Sequence, residues 1–408
     1  GKSKADEAEK RGIDKGIEQN RQQNAQAVEQ AERSAKAKEA AAEKKIREAE
    51  SKLAEAGLDM ITLEMDSAGA GMQLDLAAAA GMKVLAVLAP YTDRTLLEDV
   101  DFEKVDELVL RFKAHPALYG WHICDEPGIK RIPMLKAVKE HIEALDGAHP
   151  VYINLNPLGS INALGTDFYR DYIDTFVREC NFQLLSYDCY PTMQWGMVNW
   201  WYMCNEAVLE VTRRYAIPFW AFAATCWIDR EGPLNMHEKP SLENVRLQIN
   251  TNLAYGAQVM QYFTIRDFGG TSLAPFMNNS QWTEAYDVLK EANLEMKRRE
   301  VVFAGCKVLA TRFICQTPFG ARPLLKGDLP AAISSVQSDR TALVSMLDNN
   351  GCEYVVVVST SPSETTGVSV DFASGVDYID RAGNTVSQSP GTKVFALDPG
   401  DMLVFRCL

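Results

Sequence analysis

From residue 58 onward the apolar positions alternate between two rhythms. Short, dense apolar runs occupy 58–64, 83–89, 118–125, 151–155, 182–190, 218–226 and 258–264. Their length and β-branched and aromatic content predict strands. Between them, apolar residues recur at helical spacing over 101–114, 131–146, 167–180, 197–215, 241–255 and 280–299. The helix at 101–114 sets Val105, Leu108, Val109 and Phe112 on one face and fills the other with acids. Regular strand–helix alternation predicts right-handed βα units around a parallel sheet. The expected fold class is therefore α/β, a (β/α)8 barrel. Seven strands are legible where a closed barrel needs eight. The missing one should precede a helix at 44–56, which Gly57 ends. Either the N-terminus supplies an atypical first strand, or the barrel is open there, or this stretch of sequence is unreliable.

The texture changes at both ends. Residues 1–43 are Ala, Glu, Lys, Gln and Arg with few large apolar side chains. Helix propensity there is high, but a packing stripe is nearly absent. This predicts a solvated helical arm or a partly disordered segment that adds little to the core. After residue 305 helical spacing stops. Short strands are expected at 307–315, 331–336, 341–347, 354–359, 367–372, 376–380, 393–396 and 402–405. Turn signals separate them at 349–351, 382–384 and 399–401. The pattern predicts an all-β sandwich. The domains expected are an arm at 1–43, a barrel at 44–304 and a sandwich at 305–408.

A chain of 408 residues suits a barrel of roughly 250 residues plus an extra domain. The net charge of −13, with no basic run among aromatics, argues against nucleic acid as a partner. No apolar run is long enough to span a bilayer. The chain opens on Gly1 with no legible secretory leader, and its beginning reads as processed. The nine cysteines form no Cys-x-x-Cys pair. Cys124, Cys189 and Cys226 lie in apolar runs and read as small buried hydrophobes. His122 and His237 lack a partner histidine at ligand spacing, so no metal is expected. No cofactor is expected either.

The most informative stretch is Leu118-Tyr-Gly-Trp-His-Ile-Cys-Asp-Glu-Pro127. It reads as a buried strand ending in two carboxylates. Pro127 cannot donate to a sheet ladder and stops the strand. Asp125 and Glu126 are thus expected at the C-terminal rim of a parallel barrel, where such folds do chemistry.

In Trp121-His-Ile-Cys-Asp-Glu-Pro127 the chain resembles the retaining (β/α)8-barrel clan of glycoside hydrolases, in particular its β-galactosidase-like branch. The motif is similar to that clan's fourth-strand signature, where Asn-Glu-Pro is usual and Glu is the general acid/base; here Asp125 replaces Asn. Further likenesses are Phe112-Lys-Ala-His-Pro-Ala-Leu-Tyr-Gly-Trp121, Val151-Tyr-Ile-Asn-Leu155, Ser186-Tyr-Asp-Cys-Tyr-Pro191, Ala254-Tyr-Gly-Ala257 and Leu397-Asp-Pro-Gly-Asp-Met-Leu403. The resemblance covers roughly 58–408. It implies a barrel with a C-terminal β-sandwich, an oligosaccharide or polysaccharide substrate, and a secreted or periplasmic location. It also numbers the strands, making 58–64 the second and 219–227 the seventh. In the clan the nucleophilic Glu ends the seventh strand. This chain has Ala223-Ala-Thr-Cys-Trp227 there, with no carboxylate.

Glycoside hydrolysis needs two carboxyl groups about the scissile bond. Glu126 is the expected acid, its proton retained by burial and by the like charge of Asp125. Asp188, on the sixth strand, is the preferred second carboxylate. Asp229 and Glu231 follow the seventh strand and read as solvated loop acids. Glu64 and Asp66 end the second strand, and Glu64 and Asp125 are candidates for sugar hydroxyls. Asn154 and Asn156 could donate to a sugar. Tyr190, Trp195, Trp200, Trp201, Trp227, Tyr262 and Phe263 are expected near the rim, where aromatic faces stack on sugar C–H faces. Tyr190, Trp195 and Trp227 are the preferred platforms, whereas Trp200 and Trp201 begin a helix and suit the core. Two other classes compete: a carbohydrate-binding barrel without the nucleophile, and an unrelated lyase or aldolase-like barrel. The last would want a rim lysine or metal ligands, and neither is evident.

Overall fold

The computed structural model describes residues 2–65, 69–88, 91, 94–158, 164–193, 196–229, 238–268, 271–277 and 281–408. All seven expected strands form one parallel sheet. They are β1 (Met60–Glu64), β2 (Lys83–Val87), β3 (Leu118–Asp125), β4 (Val151–Leu155), β5 (Leu185–Tyr187), β6 (Phe219–Ala224) and β7 (Val259–Phe263). Their order in the sheet is their order in the chain. Helices stand between them: α2 (Ala70–Ala79), α3 (Phe102–Phe112), α4 (Ile132–Leu145), α5 (Tyr169–Cys180), α6 (Trp201–Tyr215) and α7 (Leu242–Ala254), with α8 (Glu284–Arg298) after β7. The apolar stripe foreseen on α3 is the one it buries: Val105, Leu108, Val109 and Phe112. Trp201 is fully buried, as its place at a helix start suggested.

The sheet does not close. Among the described residues β1 and β7 remain its two edges, so of the three explanations for the missing strand the open barrel is the one found. Residues Lys2–Glu55 form a single helix, α1, with no strand before β1. Its described side chains up to Ala42 are exposed. Only the last turns dock, through a stripe at Glu43, Ile46, Glu50 and Leu53. The Tyr286 hydroxyl donates to Lys52 O, and Asn293 Nδ2 donates to Ala56 O, each at 2.8 Å. The end of α1 thus lies beside α8, on the open side of the sheet.

The C-terminal part is a β-sandwich. One sheet holds β8 (Lys307–Ile314), β10 (Ala342–Asn349), β11 (Cys352–Ser359), β13 (Val376–Ile379), β14 (Thr385–Gln388) and β16 (Met402–Cys407), in the order β8-β10-β11-β16-β13-β14. The other pairs β9 (Ile333–Ser338), β12 (Thr366–Phe372) and β15 (Gly391–Leu397). Val344, Val355, Val368, Val370 and Phe405 fill the space between them. The opposite face of the larger sheet joins the barrel core through Leu343, Leu347, Val356, Val358 and Val404. Among the described residues no helix is long and apolar enough to cross a membrane.

Candidate active site

Strand register decides which side chains face the barrel interior. Leu85 pairs with Gly120 and Val87 with His122; His122 pairs with Tyr152, Asp125 with Asn154, Asn154 with Ser186, and Ser186 with Trp220. Alternation would turn Asp125 outward from an inward His122, because three residues separate them. A register shift between His122 and Cys124 inserts one residue and returns Asp125 to the inner face.

Across the inner face runs a polar chain. Asn154 Nδ2 donates to Asp125 Oδ1 at 3.1 Å, and Ser186 Oγ donates to Asn154 Oδ1 at 2.9 Å. Gln261 Nε2 donates to Ser186 Oγ at 2.9 Å, and the Tyr152 hydroxyl donates to Gln261 Oε1 at 2.8 Å. His122 packs edge-on against Tyr152, with centroids 4.8 Å apart. Burial lowers the pKa of His122 despite the opposing pull of Asp125, which favours the neutral imidazole.

Glu126 follows directly and has a left-handed backbone, φ +49°. That is unfavourable for a non-glycine residue, and doubly so before proline. Three hydrogen bonds hold it. Its N–H donates to Asn154 O at 2.8 Å, its carbonyl accepts from Asn156 Nδ2 at 2.5 Å, and the Tyr172 hydroxyl donates to Pro127 O at 2.8 Å. Such an over-determined outlier is typical of functional positions. The conformation swings the Glu126 carboxyl off the end of β3 and out to the solvent-reaching rim.

There it meets Asp188, which follows β5 and is 93% buried, with the N–H of Asp188 donating to Leu155 O at 3.3 Å. The two carboxyl groups act directly on each other's protonation. Burial, then the charges of Glu126 and Asp125, push the Asp188 pKa well above the carboxylate range. Burial and the charge of Asp125 raise Glu126 too, while the bond from Asp188 partly offsets the rise. The pair therefore holds one proton into a pH range where isolated carboxyls have lost theirs. Asp188 Oδ1 is buried without a hydrogen-bond partner. Tyr190 joins the cluster: burial and the charges of Asp188, Asp125 and Glu126 raise its hydroxyl pKa, and its ring stacks on Phe263 with centroids 5.5 Å apart.

The structure thus brings Asp125, Glu126, Asp188, Asn154 and Tyr190 together. Asn154 is 98% buried, and its amide serves Asp125 and Ser186. Glu64 is exposed at the end of β1, two strands from Asp125 in the sheet order. Trp227 is half-buried just past β6, its backbone paired with Leu273. Asp229 is exposed on the same loop. Tyr262 turns away from the rim, and its hydroxyl donates to Asn293 on α8 at 2.7 Å. Trp195, Asp66, Glu231 and His237 lie outside the described residues. At the end of β6, Thr225 and Cys226 are fully buried, and Thr225 N–H donates to Phe263 O. Ser186, Gln261 and Tyr172 were not foreseen. Strand alternation marks the first two as inward, whereas no local signal connects Tyr172 on α5 with Pro127.

No protein-family model matches the chain, and no curated protein matches its sequence. Solved structures resemble it in three dimensions. A glycoside hydrolase superposes with a TM-score of 0.57 at 11% identity, over 89% of this chain and 88% of that one. A family 5 glycoside hydrolase from Bacteroides vulgatus gives 0.56 at 12%, over 89% and 85%. A β-galactosidase from the psychrophilic Marinomonas ef1 gives 0.48 at 12%, over 63% of this chain and 58% of that enzyme, so the chain spans less than two thirds of its length. At these identities the likeness establishes the fold: a barrel-type parallel sheet followed by a β domain.

Proposed function

We propose that the chain hydrolyses a glycosidic bond, with Glu126 as general acid/base and Asp188 as the second carboxylate. What supports this is the meeting of Glu126, left-handed at the end of β3, with the buried Asp188 after β5, each carboxyl acting on the other's protonation. The pair has two arrangements of one proton. In one Asp188 is the acid and Glu126 the anion. In the other Glu126 is the acid and Asp188 the anion, and positive charge developing at an anomeric carbon favours it. Glu126 then protonates the leaving oxygen as the C–O bond breaks and its electron pair goes to that oxygen. Asp188 faces the positive centre. Water adds there and gives its proton to Glu126. Asp125 and Tyr190 would take hydroxyls and the apolar face of the ring, and Glu64 and Trp227 would extend the subsite. Secretion or periplasmic export fits a polysaccharide substrate.

A screen of aryl glycosides with wild type and Glu126→Gln tests this. The variant should lose about 10²–10⁴-fold on a substrate with a poor leaving group. It should lose much less on an activated aryl glycoside that needs no protonation. Equal losses would deny Glu126 the acid role. A second reading has one observation in its favour, the end of β6, where Ala224, Thr225 and Cys226 stand in place of a carboxylate. It is a carbohydrate-binding barrel without turnover. Measurable oligosaccharide binding with no hydrolysis of any glycoside would select it.

A further inference from the structure

Away from the rim, on the outer wall of the barrel, α5 and α6 meet β8 in a groove of about 940 Å³. Phe168 and Phe319 line it and are 66% and 76% exposed, and Leu309 beside them is 46% exposed. Isolated exposed apolar side chains need no explanation, but three converging on one concavity mark a contact surface. Phe319 is rigidly presented. Gly320 has a left-handed φ of +79°, and a Cβ there would lie 2.7 Å from Met203 Cγ on α6, so the turn packs directly on that helix. Ala321 N–H closes the turn onto Pro318 O, and the Arg322 carbonyl accepts from Phe313 N–H at 2.8 Å.

The groove has a slight positive excess, four arginines against Asp167, Glu206 and Glu210, in a chain of net charge −13. Of its four arginines, Arg170 pairs with Asp171 and Glu210, and Arg312 with Asp328. Arg213 and Arg322 are exposed and make no ion pair among the described residues. Glu206 in the same groove accepts from the Tyr255 and Thr311 hydroxyls at 2.8 Å each and lies within the field of Arg322 and Arg312. Asp167 is the remaining exposed acid.

We propose that this groove holds an acidic polysaccharide, a uronate-bearing chain, at a station separate from the catalytic rim. Arg213 and Arg322 would fork its carboxylates, and Phe168 and Phe319 would lie against sugar faces. The choice of a sugar rests on the carbohydrate function proposed above. Native affinity electrophoresis in gels containing polygalacturonate or neutral galactan tests it. Wild type should be retarded by polygalacturonate and not by galactan. Arg322→Gln and Phe319→Ala, both at exposed positions, should keep the wild-type melting curve while binding about tenfold more weakly, as loss of one charged or stacking contact implies. Glu126→Gln should be retarded like wild type. No retardation of wild type, equal retardation in galactan, undiminished retardation of both groove variants, or its loss in Glu126→Gln would each overturn the proposal. Aryl-glycoside turnover, measured separately, reports on the catalytic function whatever the gels show.

Discussion

Asp125 and Glu126 stand close enough to Asp188 to raise its proton affinity, Asp125 does the same to Glu126, and stability should register it. Folding raises Asp188 well above its ordinary 3.8 and raises Glu126 above 4.5. The folded chain therefore binds protons that the unfolded chain releases. Stability from these groups is fully present below the ordinary carboxylate range and is lost as pH rises through their folded values. Asp188→Asn removes its share of this loss. Its thermal midpoint should exceed wild type at pH 8 and approach it near pH 4, followed by circular dichroism, while glycosidase turnover falls at least about 10²-fold. A variant less stable than wild type at pH 8 would show that Asp188 is held by contacts stronger than the shared proton. The local half of this cluster is written in Asp125-Glu126-Pro127. The other half is not, because Asp188 reaches Glu126 only through the order β3, β4, β5 and the inward register of Asn154 and Ser186.

At the scale of elements, the helices with clear one-sided periodicity were legible, as were the strands with dense apolar runs. Two that were not legible had no such pattern. Helix α2 (AGMQLDLAAA) is short and apolar nearly all round. Strand β14 is a largely exposed edge strand, Thr385–Gln388, without an apolar face. The arm shows the same logic in reverse. Its high helix propensity gives α1 its length, and exposed pairs such as Glu29–Arg33 and Glu43–Arg47 add only about 0.3–0.5 kcal/mol each. Packing begins only at Glu43, where every third or fourth side chain meets the barrel. Deleting residues 1–40 should therefore leave the thermal midpoint within a few degrees. Deleting 1–56 should abolish soluble expression, because it strips the cover that Lys52, Leu53 and Ala56 give the open side of the sheet beside α8. A collapse on removing 1–40 alone would mean that the exposed arm has a partner in solution.

On the scale of the whole molecule, the barrel and the sandwich share one core, and their seam is polar as well as apolar. Ser345 Oγ donates to Ala254 O at 2.6 Å, and Asn349 Nδ2 reaches Val301 O, Val302 O and Ala304 O at 3.0–3.1 Å. The tightest point is the turn before β16, where Gly400 O accepts from Asn250 Nδ2 on α7 at 2.9 Å. Gly400 has φ +69°, and a Cβ there would lie 2.2 Å from Glu243 O and 2.7 Å from Leu247 N. Gly351, in the β10–β11 turn, has φ +83° with nothing within 4 Å of where a Cβ would lie. The two glycines share a left-handed backbone and differ in what surrounds them. Gly351→Ala should cost only the conformational strain, about 1–2 kcal/mol. Gly400→Ala adds overpacking against the backbone of α7, roughly a further 1–3 kcal/mol. Because the sandwich is fixed to α7 through this turn, the loss should appear as a lower midpoint of one cooperative transition, with barrel and sandwich signals moving together. Equal midpoints for the two variants would mean that the seam yields at Gly400. A split of the Gly400→Ala transition into two would mean that barrel and sandwich fold independently and merely touch.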